Sequence, residues 1–325
     1  MTVASEGRSL SPTAPVPSVS VIVPAYNGEH DIHETINCLL AQDYPSDRVE
    51  FLIVDNHSRD RTPEVIERYT RDHANLVLLR EDQIQSSYAA RNTGIRQARY
   101  DLIAFTDADC LPEPQWLRQL VTLFRDPEIG LVAGQIEALT PQTLLERFAE
   151  HTETLSQKHT LSHSFCPYGQ TANLAVRREI FDQVGLFRPY LTTGGDADFC
   201  WRALRETQTR IELAPTAIVR HRHRSTLTEL RKQWYRYGVS NRYLHQLHGV
   251  ALTRSRGVGA TIRVVMRWVL KEVPRELVRS LRGRGSWVTF WSTPISLYIG
   301  YWRSRGQQEA QFPEKAREIA TRFER

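Results

Sequence analysis

Four short apolar runs, each followed by a polar or helical stretch, restrict this chain more than any other feature in it. The first, 19–23 (VSVIV), ends at Pro24; the second, 49–54 (VEFLIV), ends at Asp55; the third is 76–79 (LVLL); the fourth, 102–106 (LIAFT), stops at Asp107. Runs of this length, rich in β-branched residues, read as buried strands. Between them, Ile32, Ile36, Leu39 and Leu40 recur at helical spacing across 31–42, Thr62-Pro63 reads as an N-cap and N1 pair before Val65, Ile66 and Tyr69, and 88–99 is again helical. This alternation predicts an α/β fold whose mostly parallel sheet is flanked by helices. Ligands of such sheets bind beyond the carboxyl ends of the strands, which here carry Tyr26, Asn27, Asp55, Asn56, Asp107 and Asp109.

Beyond residue 144 the pattern loosens. A helical stretch leads to a loop at Tyr168-Gly169-Gln170, helical spacing returns over 177–184, and a turn at 192–196 (TTGGD) opens a helix over 198–205. A last strand is expected over 211–219, after which the chain reads as helical and basic. Residues 1–219 hold 20 Lys and Arg against 30 Asp and Glu, whereas 220–325 hold 22 against 7, so a body of net −10 adjoins a tail of net +15. Such a tail suits an anionic membrane surface or a nucleic acid, a solvated helical tail being the plainer alternative. Residues 286–302 (SWVTFWSTPISLYIGYW) carry no charge but lie between Arg282, Arg284 and Arg303, Arg305. Their length and aromatic content favour attachment to a membrane surface over a crossing, with a packed helix or a dimer contact as the other reading. The four cysteines form no CxxC pair and 1–18 is polar, so a cytoplasmic protein with reduced thiols is expected, peripheral on the cytoplasmic face of a membrane if the tail attaches.

Asp107-Ala-Asp109 places two carboxylates directly after a strand, and hard oxygen ligands suit Mg2+ or Mn2+. Such an ion offsets the charge that grows on a diphosphate leaving group. Asp55, on the neighbouring strand end, either accepts the imide N–H of a uracil ring or belongs to a capping turn in DNHSRD. Arg91 and Asn92 either address the diphosphate and ribose or form a polar helix start. In Gly194-Gly-Asp-Ala-Asp198 the two carboxylates point to different faces of one helical turn. Asp196 is the choice for the base that takes a proton from an acceptor hydroxyl, leaving Asp198 to cap the helix or hold Arg202. His221, at the last strand's end, either completes a metal site of carboxylates or belongs to a basic surface run (HRHR). Residues 230–238 (LRKQWYRYG) mix aromatics with cations, fit for phosphate or for a membrane edge.

Taken in order, VSVIVPAYN at 19–27, VDNHSRDRT at 54–62, ARNTG at 90–94, the Asp-x-Asp pair, GQTAN at 169–173, Gly195-Asp196 and QWYRY at 233–237 resemble the motifs of family 2 glycosyltransferases of the GT-A fold. The resemblance implies an inverting catalytic domain over 19–238, preceded by a flexible segment 1–18 and followed by a basic helical region 239–325. It implies a nucleotide-sugar donor, a UDP-sugar by preference, surrounded by Pro24, Tyr26, Asn27, Asp55 and Arg91. Asp107 would face ribose or metal, Asp109 would ligate Mg2+ or Mn2+, and Asp196 would be the general base. Gln233 and Arg236 would gate the diphosphate, and Gln170, Thr171 and Asn173 would border the acceptor, a hydroxyl on a glycan, a lipid or another molecule. Asn27 and Asn56 stand where the family often has an acidic residue, Gly195 replaces a Glu, and Tyr237 replaces a Trp. The chain lacks the many membrane helices of the polymer-extruding synthases that share the late Trp motif.

Two other functions fit parts of this pattern. A nucleotidyltransferase would also bind nucleotide and metal on such a sheet, but no Gly-rich, Lys-bearing phosphate loop follows the first strand. A non-catalytic module would bind nucleotide, or membrane through its basic tail. No nucleic acid is expected as a partner of the enzyme.

Overall fold

The computed structural model describes residues 16–321. Eight strands, β1 (Val19–Ala25), β2 (Val49–Asp55), β3 (Leu76–Arg80), β4 (Leu102–Thr106), β5 (Cys110–Pro112), β6 (Ile129–Ala138), β7 (Asn173–Arg177) and β8 (Arg210–His221), form one sheet of order β3-β2-β1-β4-β7-β6-β8-β5. The helices are α1 (Ile32–Leu40), α2 (Thr62–Asp72), α3 (Ser87–Gln97), α4 (Trp116–Thr122), α5 (Leu144–His151), α6 (Gln157–Leu161), α7 (Arg178–Val184), α8 (Gly195–Glu206), α9 (Leu227–His248), α10 (Val258–Arg267), α11 (Val273–Leu281) and α12 (Trp287–Glu309). The segment 1–15 of the expected flexible N-terminus lies outside the described residues. Val16 and Pro17 are held by their carbonyls, which accept from Arg48 and Tyr44.

The α/β expectation holds, and β1 to β4 occupy the four predicted runs, all parallel. Apolar side chains pack on both faces of this part, Val21, Val23 and Ile53 on one and Ile22, Leu52 and Ile103 on the other. Beyond β4 the direction changes: β7 runs antiparallel to β4 and β6, β6 runs parallel to β8, and β5 is antiparallel to β8. Strands β5, β6 and β7 have no counterpart in the sequence expectations. Gly130 and Gly134 interrupt β6, which weakens its strand signal, and β7 is a run of only five residues abutting a helix. Two helix starts also shift. Thr62 is the first residue of α2 rather than its cap; its hydroxyl binds Asp60 and receives the Gly28 N–H instead. Helix α8 begins at Gly195, which places Asp196 in its first turn.

Asn173, expected beside the acceptor, is instead fully buried and joins four elements. Its side-chain oxygen accepts from the Trp116 indole at 2.8 Å, and its nitrogen donates to Gln135 O at 2.8 Å and Ala217 O at 2.9 Å. Between Gly134 and Gln135 the β6–β8 register jumps, the partner moving from Ala214 to Ile218. The Asn173 amide therefore satisfies carbonyls on both sides of a bulge that would otherwise bury them unpaired.

The C-terminal region is not separate from this body. The expected boundary at 238 falls inside α9, and α12 packs along that helix. A Cβ on Gly238 would come within 2.0 Å of Arg303 O, and one on Gly306 within 2.1 Å of Tyr235 O. Only glycine lets the two backbones approach this closely. The apolar segment 286–302 is a helix packed on one side, with Ile295 buried beside Phe148 and Leu230 and with Trp287, Trp291 and Tyr301 exposed. Its polar turns and Pro294 are consistent with this, and among the described residues no helix is long and apolar enough to cross a membrane.

Replacing Gly306 by Val should lower the thermal midpoint, with a loss on the order of 1–3 kcal/mol from overpacking, whereas Gly259→Ala, which meets nothing within 4 Å, should not. Asn173→Leu should cost at least about 2 kcal/mol in denaturant unfolding, because it leaves a buried indole N–H and two carbonyls unpaired.

Candidate active site

The loops after β1 and β2 carry the first group of expected residues, and they are laced together. Asn27 and His57, two residues past their strands, both adopt left-handed backbone (φ 49° and 62°). The Asn27 N–H donates to Ser58 Oγ at 3.0 Å, and Asn27 Oδ1 accepts from the Arg59 N–H at 2.8 Å. Asn27 therefore builds the loop. Pro24 sits partly buried beside Val54, and Tyr26 projects outward, 47% exposed. Asp55 is buried. One of its carboxylate oxygens accepts the Ser58 N–H at 3.3 Å and the other, Oδ1, has no partner, an acceptor that a ligand's N–H would satisfy. Asn56 gives both amide hydrogens to Glu81 O and Ile84 O.

Helix α3 brings Arg91 to the end of β4. Ser86 caps it by accepting the Tyr88 N–H, so Arg91 lies one turn inside the helix rather than at its start. The buried guanidinium donates to Asp107 at 2.5 Å and its Nε has no partner. Asn92, for which a ribose contact is one of two readings, is not available to a ligand: its amide exchanges two hydrogen bonds with the Phe187 backbone, at 2.8 and 3.0 Å. Tyr88 was missed by the sequence reading, although its i, i+3 spacing from Arg91 places both on one helix face. Its ring lies 5.7 Å from the Arg91 guanidinium and fills the space where a Cβ on Gly195 would stand, at 2.7 Å. This explains why a glycine precedes Asp196. Gly194, at φ 80°, supplies the left-handed turn that starts the helix.

Asp196 completes this group. Thr171 Oγ1 donates to Asp196 Oδ1 at 3.0 Å. Burial foremost raises the Asp196 pKa, Arg91 opposes that, and the negative charge of Asp107 adds to it. Gln170 is a neighbour of another kind, its side chain donating to Leu155 O at 3.2 Å and its backbone held by Gln157. On α9, Gln233 donates to the Tyr237 hydroxyl at 3.2 Å, while exposed Arg236 acts electrostatically on Tyr88 and Tyr237.

Asp109 belongs to a second group. In the β5–β8 ladder Cys110 pairs directly with His221, which brings His221 Nε2 to 3.4 Å from Asp109 Oδ2, with Arg224 at 3.9 Å. Burial alone would raise the Asp109 carboxyl, but the hydrogen bond and charge of His221, with Arg224, hold it down at about 2. Among the described residues, Asp109, Cys110 and His221 could hold a metal ion. Burial pushes the Cys110 thiol well above its ordinary range, and a hard ion prefers oxygen and imidazole ligands to sulfur. Asp109 and His221 fit a Mn2+-like ion, which accepts carboxylate and imidazole together, and the buried His221 Nδ1 lacks a partner. Asp107 stands outside this cluster, tied to Arg91. A cleft of about 290 Å³ adjoins Asp109, lined also by Asp31, Glu34, His223, Arg224 and Glu229. Burial, then the neighbouring His221, lowers the His223 pKa to about 4.

Residues 20–190, more than half of the chain, match glycosyl transferase family 2. The chain belongs to that family. It is 34% identical over 279 residues to the glycosyltransferase AglE of Haloferax volcanii, covering 85% of this chain and 89% of that one. It is 30% identical over 224 residues to the pre-mycofactocin glycosyltransferase of Mycobacterium tuberculosis, covering 67% of this chain but 46% of that longer protein. The fold is shared with the mannosyltransferase PcManGT from Pyrobaculum calidifontis, solved with GDP-Man and Mn2+ (TM-score 0.63, 18% identity, 93% and 91% covered). It is also shared with Staphylococcus aureus TarS 1–349 in complex with UDP-GlcNAc (TM-score 0.51, 17% identity, 90% of each chain). The protein is thus a glycosyltransferase with a GT-A-like sheet and an added helical C-terminal region.

In this glycosyltransferase the acidic turn divides its labour. Asp198, two residues after Asp196, faces inward and is fully buried, bound by Arg188 at 2.9 Å, Arg202 at 3.2 Å and His248 at 2.9 Å. Burial would raise its carboxyl, but His248, Arg202 and Arg188 together lower it. The network ties the start of α8 to the end of α9. Because the folded carboxyl lies below the ordinary range, this stabilisation is complete above the unfolded Asp value of about 3.9 and is lost as pH falls through the lowered value. Asp198→Asn should therefore lose about 3–5 kcal/mol in urea unfolding at neutral pH, since it removes the counter-charge of buried Arg202 and part-buried Arg188. The gap from wild type should close as the pH is taken below about 4.

Proposed function

We propose that this glycosyltransferase transfers a sugar, with inversion, from a UDP-sugar to an acceptor hydroxyl on a glycan or lipid, using Asp196 as base and a divalent ion at Asp109 and His221. The observation that carries this reading is the meeting of Arg91, Asp107 and Asp196 from three separate elements, beside the Asp109–His221 pair. Tyr26 is exposed to stack on a base, and the unpartnered Asp55 oxygen is suited to the imide N–H of uracil. Arg91 and Arg236 supply positive charge toward a diphosphate. The bound ion would offset the negative charge that develops on the departing nucleotide.

The acceptor oxygen forms a bond to the anomeric carbon as that carbon's bond to the diphosphate oxygen breaks, and the hydroxyl proton passes to Asp196. Thr171 fixes one oxygen of Asp196, leaving the other to accept that proton. Its raised pKa makes it a stronger base than an exposed aspartate. The known sugar nucleotides of the two structural neighbours differ in base, so the donor preference rests on Tyr26 and Asp55. Neither a nucleotidyltransferase nor a non-catalytic module is favoured by this arrangement.

Asp196→Asn should lower kcat by about 10²- to 10⁴-fold while UDP still raises the melting temperature in the presence of Mn2+. Full turnover in that variant would remove the base assignment. Asp109→Ala should abolish the stimulation of donor turnover by added Mn2+ or Mg2+, and a thermal-shift series of UDP- and GDP-sugars decides the base.

A further inference from the structure

Among the described residues, helices α10 and α11 bury no apolar side chain: α10 buries nothing and α11 buries only Glu276. Ile262, Val265, Val269, Leu270, Leu277 and Leu281 are all exposed, Leu270 by 64% and Leu281 by 89%. Ile262, Val265 and Val269 recur at three and four residues, and Leu270, Leu277 and Leu281 at seven and four, the two sets meeting at the π turn and sharing one broad side of a nearly continuous helix. A π turn at Trp268–Glu272 joins the two helices ahead of Pro274, whose missing N–H breaks the ordinary ladder. Beside this strip run Arg263, Arg267, Lys271, Arg275 and Arg279. The carboxylates within it are already paired, Glu272 with Arg267 and Glu276 with Arg279, each at 3.0 Å. Residues 254–284 hold nine cations against these two acids, and Trp287, the first residue of α12, is 74% exposed.

We propose that α10 and α11 lie flat on an anionic lipid bilayer, with the leucine strip in the acyl boundary and the flanking cations among the headgroups. Charge complementarity selects this occupant. A second copy of the chain would bring an equally basic strip against this one, and a nucleic acid would satisfy the cations but leave the leucines in water. A helix with an apolar face and a cationic flank is suited to the membrane interface, where burial and attraction to anionic lipid act together. The contact thus falls on 258–281 and Trp287 rather than on the length of 286–302.

The test uses the full chain and vesicles of phosphatidylcholine alone or mixed in equal parts with phosphatidylglycerol. Wild type should sediment with the anionic vesicles and be released as salt is raised from about 0.1 M to about 1 M, which shortens the Debye length from about 10 Å to about 3 Å. The Leu270→Glu/Leu281→Glu variant should bind at least about tenfold more weakly, with donor turnover in detergent-free buffer unchanged, and Lys271→Glu/Arg275→Glu should lose on the order of tenfold on the anionic vesicles. Brominated lipids should quench the tryptophan fluorescence of the unmodified protein, a readout that requires no variant. Absence of quenching and of sedimentation, or equal binding by the leucine variant, would overturn the proposal. So would a wild-type dimer in light scattering that the leucine variant splits.

Discussion

The side chain of Asn173 is the interaction on which the second half of the sheet depends. Four parallel strands can be continued by antiparallel ones only if the joint buries no unpaired peptide groups. Here the joint contains a register jump in β8, and one amide fills it by reaching α4, β6 and β8 at once. Everything beyond the jump follows from it, including the final rungs in which Cys110 faces His221. The Asp109–His221 pair is therefore a product of sheet register.

The charges at the strand ends are arranged so that each carboxylate has a different environment. Asp107 is paired with the buried Arg91, the Asp109 carboxyl is held low by His221 and Arg224, and the Asp196 carboxyl is raised by burial and a like charge. Asp198, on the same helical turn as Asp196, is fully committed to two arginines and a histidine. A turn with one locked and one available carboxylate holds Asp196 still without consuming it, since the helix start cannot shift while the ion network persists.

The same contrast between committed and uncommitted surfaces governs the tail. Gly238 and Gly306 commit α12 to α9, whereas among the described residues α10 and α11 bury no apolar side chain. The aromatic segment that looked most suited to lipid in the sequence uses one side for packing. Hydropathy of a segment reports its need for burial, but the surface that meets that need is chosen by backbone approach, which here depends on two glycines far apart in sequence.

The sequence by itself determined the four parallel strands, the polar ends at Asp55 and Asp107, and the opposed faces of Asp196 and Asp198. Each of these is a local consequence of apolar periodicity, strand termination or helical geometry, and none requires a distant contact. It also carried the ordered motifs by which the family is recognised. Tertiary structure alone decided that β6 and β7 are strands, because their short or glycine-broken runs become extended only when flanked by β4 and β8. It decided that the amides of Asn92 and Asn173 are structural, since local pattern cannot distinguish a buried partner from a bound ligand. And it decided that His221 stands beside Asp109: the two are 112 positions apart, and only the register of β5 against β8 brings them together.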